Sequence, residues 1–131
     1  MNYKPIIIVA GEPKSIFLEI LFKSFTFKKF KSPIILICSK SLLKKNMKRF
    51  NFKKKLNLLN INEISNYNLN NNFINLIDVK IKHKKINNYI KKCFSTAFKI
   101  INDGITNKFI NGPISKEKFL RKKYLGITEY I

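Results

Sequence analysis

A chain of 131 residues with 45% hydrophobic side chains has the apolar material for one folded domain and too little length for two. Its formal charge of +20, from 27 Lys+Arg against 7 Asp+Glu, invites a nucleic-acid reading. Lys, Asn, Ile and Phe are raised together, however, and arginine is confined to Arg49 and Arg121, so A- and T-rich codon usage accounts for the charge. An interface built for phosphate and base contacts favours the planar fork of Arg, and the composition argues against nucleic acid as the partner.

Pro5 precedes Ile6-Ile7-Ile8-Val9, a β-branched run of buried-strand type that stops at Ala10-Gly11-Glu12-Pro13. This run is too short for a signal segment or a membrane span, so a soluble, cytoplasmic chain is expected. Ser15 to Phe27 reads as a helix, with Ile16, Glu19-Ile20, Lys23 and Phe27 at three- and four-residue steps; its apolar content on all sides predicts that it is largely covered. Pro33 introduces a second strand, Ile34 to Cys38. Ser39 or Ser41 can then cap a helix running through Leu42-Leu43 and Met47 to about Phe50.

Leu56 to Ile61 is a shorter apolar run, and the Asn-rich tract Asn62 to Asn72 reads as a surface connection. Phe73 to Val79 is a further strand, and Lys80 to Lys85 reads as a solvated basic face. Ile86 to Ile101 has the clearest helical spacing, with Ile86, Tyr89-Ile90, Cys93, Ala97 and Ile100-Ile101 on one stripe; Asp103-Gly104 supplies a glycine stop. Phe109-Ile110 is the next strand. The order β, α, β, α, β, β, α, β, α predicts an α/β fold with a mixed, mainly parallel sheet flanked by helices. The final helix would begin near Thr128, and a single turn cannot bury a face. The expectation is a single incomplete α/β domain over 1–131, part of a longer enzyme.

Cys38 and Cys93 lie far apart in apolar runs without metal-ligand spacing, which predicts two buried free thiols. His83, among Lys82, Lys84 and Lys85, reads as a solvated side chain, and no segment gathers a metal site. The stretch from Asn111 onward carries the most site-like pattern. A strand hands over through Asn111-Gly112-Pro113 to Ser115-Lys116-Glu117, which opens a helix. Backbone N–H groups and the helix dipole favour an anion there, Gly112 permits close backbone approach, and Lys116 adds a mobile charge. An ordinary helix capped by Ser115, with Glu117 in its first turn, satisfies the same pattern.

Two stretches together resemble the 4-hydroxythreonine-4-phosphate dehydrogenase family of vitamin B6 biosynthesis. Pro5 to Ile20, with Gly11-Glu12-Pro13 and Glu19, resembles that family's first strand followed by Gly-Asp/Glu-Pro-Ala-Gly-Ile-Gly-Pro-Glu. Gly112-Pro113-Ile114-Ser115-Lys116-Glu117, followed by Gly126-Ile127-Thr128-Glu129-Tyr130, resembles Gly-Pro-Ile-Asn-Lys-Glu and then Gly-His-Thr-Glu-Phe. Order and spacing both fit the amino-terminal portion of such an enzyme, within an isocitrate/isopropylmalate dehydrogenase-like fold.

The resemblance implies a homodimeric enzyme that uses NAD to oxidise 4-phosphooxy-threonine, a small phosphorylated substrate, with loss of carbon dioxide. It also implies a divalent metal held by histidines that lie downstream of this chain. Thr128 carries over as a substrate contact. Ile127 stands where the family has histidine, an apolar group in place of a polar contact. Gly112, Lys116 and Glu12 are the positions implied to bind an anion or shape the site. Ser15, Phe17 and Leu18 replace Gly, Gly and Pro of the first motif, and a phenylalanine at that glycine would obstruct a close backbone approach. No catalytic residue and no metal ligand is assigned within the chain. The alternatives are a small basic nucleic-acid-binding protein, or a relative whose dehydrogenase activity is lost or changed.

Overall fold

Pro5 and Pro33 each stand just ahead of a β-branched run, and both runs become central strands. The computed structural model describes residues 3–66, 68–82 and 85–114. Strands β1 (Ile6–Val9), β2 (Ile34–Cys38), β3 (Lys55–Leu58), β4 (Phe73–Asp78) and β5 (Lys108–Asn111) form one sheet in the order β3-β4-β2-β1-β5. Helices α1 (Phe17–Phe27), α2 (Lys40–Arg49) and α3 (Ile86–Asn102) connect them, with a short 3-10 segment at Ile61–Asn66.

Period-two alternation divides the strands between two cores. Ile7, Val9, Ile35, Ile37 and Ile77 face α3, where they meet Tyr89, Ile90, Cys93, Phe94, Ala97 and Ile100. Ile8, Ile34, Leu36, Cys38, Ile74 and Leu76 face the other way, onto Leu18, Leu21 and Phe22 of α1 and Leu43 of α2. Strands covered on both faces carry no polar alternation, which is why β1 and β2 read as unbroken apolar runs. On the α1 and α2 side the aromatics pack together, Phe22 stacking on Phe52 with ring centres 4.6 Å apart.

Among the described residues every strand pairing is parallel, including β3 with β4, so the expected mixed sheet is corrected to an all-parallel one. No helix separates β3 from β4 in the sequence pattern, which would suit an antiparallel pair. A parallel pair instead needs a crossover that returns the chain to the starting edge. The Asn-rich tract performs that return, with Ile61, Ile64 and Leu69 packed on the α3-side core.

The Asn side chains also replace missing backbone partners. Asn71 Oδ1 accepts the Ile34 amide at 2.8 Å, and its Nδ2 donates to the carbonyls of Phe30 (3.1 Å) and Ser32 (2.8 Å). Asn75, 1% exposed, donates to the carbonyls of Ile34 and Asn70 and accepts from Asn57 Nδ2, each at 3.0 Å.

Helix α1 departs from its expected stripe. Leu18, Leu21 and Phe22 are buried, while Ile16, Ile20 and Phe27 are exposed, Phe27 by 84%. The helix is apolar all round yet covered on one side among the described residues. Its two sides differ little in polarity, so spacing alone does not choose between them. Helix α2 is capped by Ser39, whose hydroxyl accepts the Leu42 amide. Helix α3 stops at Asp103-Gly104 as expected, with Gly104 at φ +80°.

Both cysteines are buried free thiols. Burial holds the Cys38 thiol well above its usual 9.0 and pushes Cys93 up to about 12. Burial likewise raises the phenol of Tyr89, which accepts the Ser39 amide at 3.0 Å. Below about pH 9 both thiols stay protonated whether the chain is folded or not, and their contribution to stability is intact. Above that, the unfolded chain loses protons that the folded chain keeps, so stability falls. Each thiol steepens the fall by about 1.4 kcal/mol per pH unit, for Cys93 until about pH 12. Thermal melts between roughly pH 8 and roughly pH 11 should show this fall, and Cys93→Ala should make it shallower. An unchanged slope in the variant would remove Cys93 from the account.

Candidate functional site

The two sequence motifs meet at the C-terminal ends of β1 and β5. The strands pair in register from Ile6 with Lys108 to Val9 with Asn111, so both chains leave the sheet together. Beyond the register the Gly112 amide donates to the Val9 carbonyl at 2.6 Å, and the Glu12 amide donates to the Pro113 carbonyl at 2.8 Å. Asn111 Nδ2 donates to the Gly112 carbonyl at 2.8 Å and holds the turn. On the other side of β1, the Ala10 amide donates to Ile37 of β2.

The glycines at this junction are required by backbone packing. Gly11 has φ +82°, a region L side chains rarely adopt, and a Cβ there would land on the carbonyl of Pro113. A Cβ at Gly112 would land on the carbonyl of Ala10 and lie 3.0 Å from the Phe17 ring. The close approach anticipated at Gly112 is therefore made to β1 and to Phe17. That ring, at a position where the resembled family has glycine, is half-buried and packed on the α1-side core.

Glu12 is half-buried beside this junction, on the turn that leaves β1. Ser15 accepts the Phe17 amide at 3.3 Å as α1 begins. Glu19 pairs with Lys23 at 3.1 Å across one helical turn. Lys116, Ile127 and Thr128 lie outside the described residues, as do Ser115, Glu117 and His83. Among the described residues no group of three or more His, Cys, Asp or Glu side chains could hold a metal ion. These residues do not fit a divalent cation. No described helix is long and apolar enough to cross a membrane.

Spacing could reveal each motif but not their contact, which depends on β5 adding beside β1 and not beside β4. The signal that escaped sequence reading was the pair of glycines itself: Gly11 and Gly112 each follow a strand end, and each is tight against the other's segment.

These features define a class: an α/β protein with a parallel sheet covered by helices on both faces and its motif-bearing loops gathered at the C-terminal strand ends, where such sheets bind ligands. The same fold occurs in 4-hydroxythreonine-4-phosphate dehydrogenases. The Klebsiella pneumoniae enzyme superposes with a TM-score of 0.79 at 18% identity, covering 97% of this chain and 43% of the enzyme. The Burkholderia phymatum enzyme superposes with a TM-score of 0.77 at 17% identity, covering 98% of this chain and 42% of the enzyme. The chain thus spans less than half the length of either. No protein-family model matches the chain. No curated protein matches it by sequence.

Proposed function

We propose that this chain is the amino-terminal part of a dehydrogenase that oxidises 4-phosphooxy-threonine, with decarboxylation, on the route to pyridoxal phosphate. The observation that carries this reading is the meeting of Gly11-Glu12-Pro13 with Asn111-Gly112-Pro113, the cores of the two resembling motifs, at the ends of adjacent parallel strands. The likeness to dehydrogenases over nearly the whole chain supports it. In this reading the complete enzyme would use NAD as hydride acceptor and a divalent metal as Lewis acid, the metal held by histidines downstream of this chain and not by its described residues. The enzyme is a cytoplasmic homodimer.

The chain's own part is positioning. The Gly11/Gly112 contact fixes the two loop stems, so that Glu12 and Pro113 lie at the same strand ends. Lys116 attracts the substrate phosphate, and Thr128 contacts the substrate. Ile127 gives up the polar contact that histidine makes in the resembled family. The Phe17 ring and Ile127 together favour one second reading, a relative with changed substrate preference. Against the nucleic-acid reading, most described phenylalanines serve the cores and not base stacking: Phe22 and Phe94 are buried, and Phe25, Phe52, Phe98 and Phe109 pack against the cores, while Phe27 and Phe73 are exposed.

The test is to express the complete reading frame and follow NADH formation from 4-phosphooxy-threonine with and without a chelator. Chelator-sensitive NADH formation is expected. A product that binds NAD but leaves this substrate untouched would overturn the reading in favour of changed chemistry. In the active enzyme Ile127→His should tighten substrate binding by roughly tenfold, the value of one good polar contact, and an unchanged KM would place Ile127 outside the pocket.

A further inference from the structure

Strands β2 and β4 are neighbours, but their chains leave the sheet toward opposite faces. β2 continues into α2 on the Leu36 side, and β4 continues toward α3 on the Ile37 side. Such a divergence opens a crevice at the C-terminal strand ends, the usual place for ligands in an open parallel sheet. Two cavities of about 460 Å³ and 390 Å³ lie there, sharing Asp78 and Lys80 in their walls. Each is within the ~300–1,000 Å³ typical of small-molecule sites.

We propose that this crevice binds a small oligophosphate, an anion with two or more linked phosphoryl groups. Lys80, Lys82, Lys85 and Lys92 line the larger cavity, and Lys40 and Lys44 join Lys80 in the smaller. Against these six lysines stands one lining carboxylate, Asp78, and its Oδ1 already accepts the Lys40 amide at 2.8 Å. The ion pairs formed among the described residues, Lys23 with Glu19 and Lys99 with Asp103, involve none of the six.

Like charges drawn around one concavity repel each other, and a multivalent anion relieves that repulsion while gaining several charge-assisted hydrogen bonds. Ser39, Ser41 and Asn88 add neutral polar groups to the walls. The concave shape, with walls from α2, β4 and α3, suits a compact anion better than an extended nucleic-acid backbone. Lys80, Lys82 and Lys85, from the run that reads as a solvated face in sequence, therefore have a second use. The site lies between β2 and β4, whereas the proposed dehydrogenase junction lies between β1 and β5, and neither proposal depends on the other.

The test is calorimetric titration of the full chain with inorganic triphosphate at near-physiological salt. Saturable one-to-one binding is expected. Lys80→Ala/Lys92→Ala should weaken it by about tenfold or more through loss of two charge-assisted contacts. Lys28→Ala/Lys29→Ala removes the same charge from the loop at the opposite end of the sheet and should weaken binding by less than about twofold through long-range charge alone. Equal weakening in the two variants, or no saturation by triphosphate, would overturn the proposal. So would tighter binding of a single-stranded oligonucleotide that is insensitive to the Lys80 and Lys92 changes.

Discussion

Gly112→Ala is expected to cost on the order of 4 kcal/mol or more, or to prevent β5 from docking, because the added Cβ has no space to enter. Its nearest neighbours would be the carbonyl carbon and oxygen of Ala10, which are backbone atoms of the segment leaving β1. That segment is held on its far side by the hydrogen bond from Ala10 to Ile37, so it cannot retreat without opening the centre of the sheet. Phe17→Ala should not rescue the variant, since removing the ring leaves the Ala10 carbonyl in place. Gly104→Ala provides the contrast: its Cβ would meet nothing within 4 Å, and only the φ of +80° is unfavourable. That change should cost about 1 kcal/mol. Urea unfolding midpoints decide the matter, and a Gly112→Ala chain within about 1 kcal/mol of the parent would refute the packing account.

The second large effect is expected at Asn71. One half-buried amide closes three backbone groups around the entry to β2, and Asn71→Ala leaves the Ile34 N–H and the Phe30 and Ser32 carbonyls without it. A loss of roughly 2–3 kcal/mol follows if each bond contributes the usual net ~1 kcal/mol. Asn71→Asp is the sharper variant. It keeps an acceptor for Ile34 but turns lone pairs toward two carbonyls, so it should be no more stable than the alanine variant. Exposed Asn72→Ala should change stability by less than about 0.5 kcal/mol. Equal losses at 71 and 72 would mean that the tract acts through composition and not through this one side chain.

These two positions mark where sequence reading succeeds and where it stops. The runs Ile6–Val9, Ile34–Cys38 and Phe73–Asp78 were legible as strands because burial on both faces leaves only apolar residues. The long helix and its glycine stop were legible because Tyr89, Ile90, Cys93, Ala97 and Ile100 keep one spacing. The buried side of α1 was not, since Leu18, Leu21 and Phe22 are no more apolar than Ile16, Ile20 and Phe27 opposite them. Nor was the direction of β3 against β4, or the work of Asn71 and Asn75, because a side-chain amide that replaces a backbone partner looks in sequence like any surface asparagine. Of the candidate site, Gly112 and Glu12 fall at one junction, a contact that strand order creates and linear spacing cannot display.

The position of β1 also bears on how the chain acquires its form. β1 precedes the other four strands of this sheet in the chain, and its partner on one side, β2, follows after a single helix. Its partner on the other side is β5, so that Ile6 waits for Lys108. Until then β1, an interior strand of the finished sheet, has one row of unpaired amides and carbonyls, a template open to other chains. This high-contact-order closure makes the docking of β5 slow and aggregation-exposed, and the two glycines that admit β5 to its place are its gatekeepers.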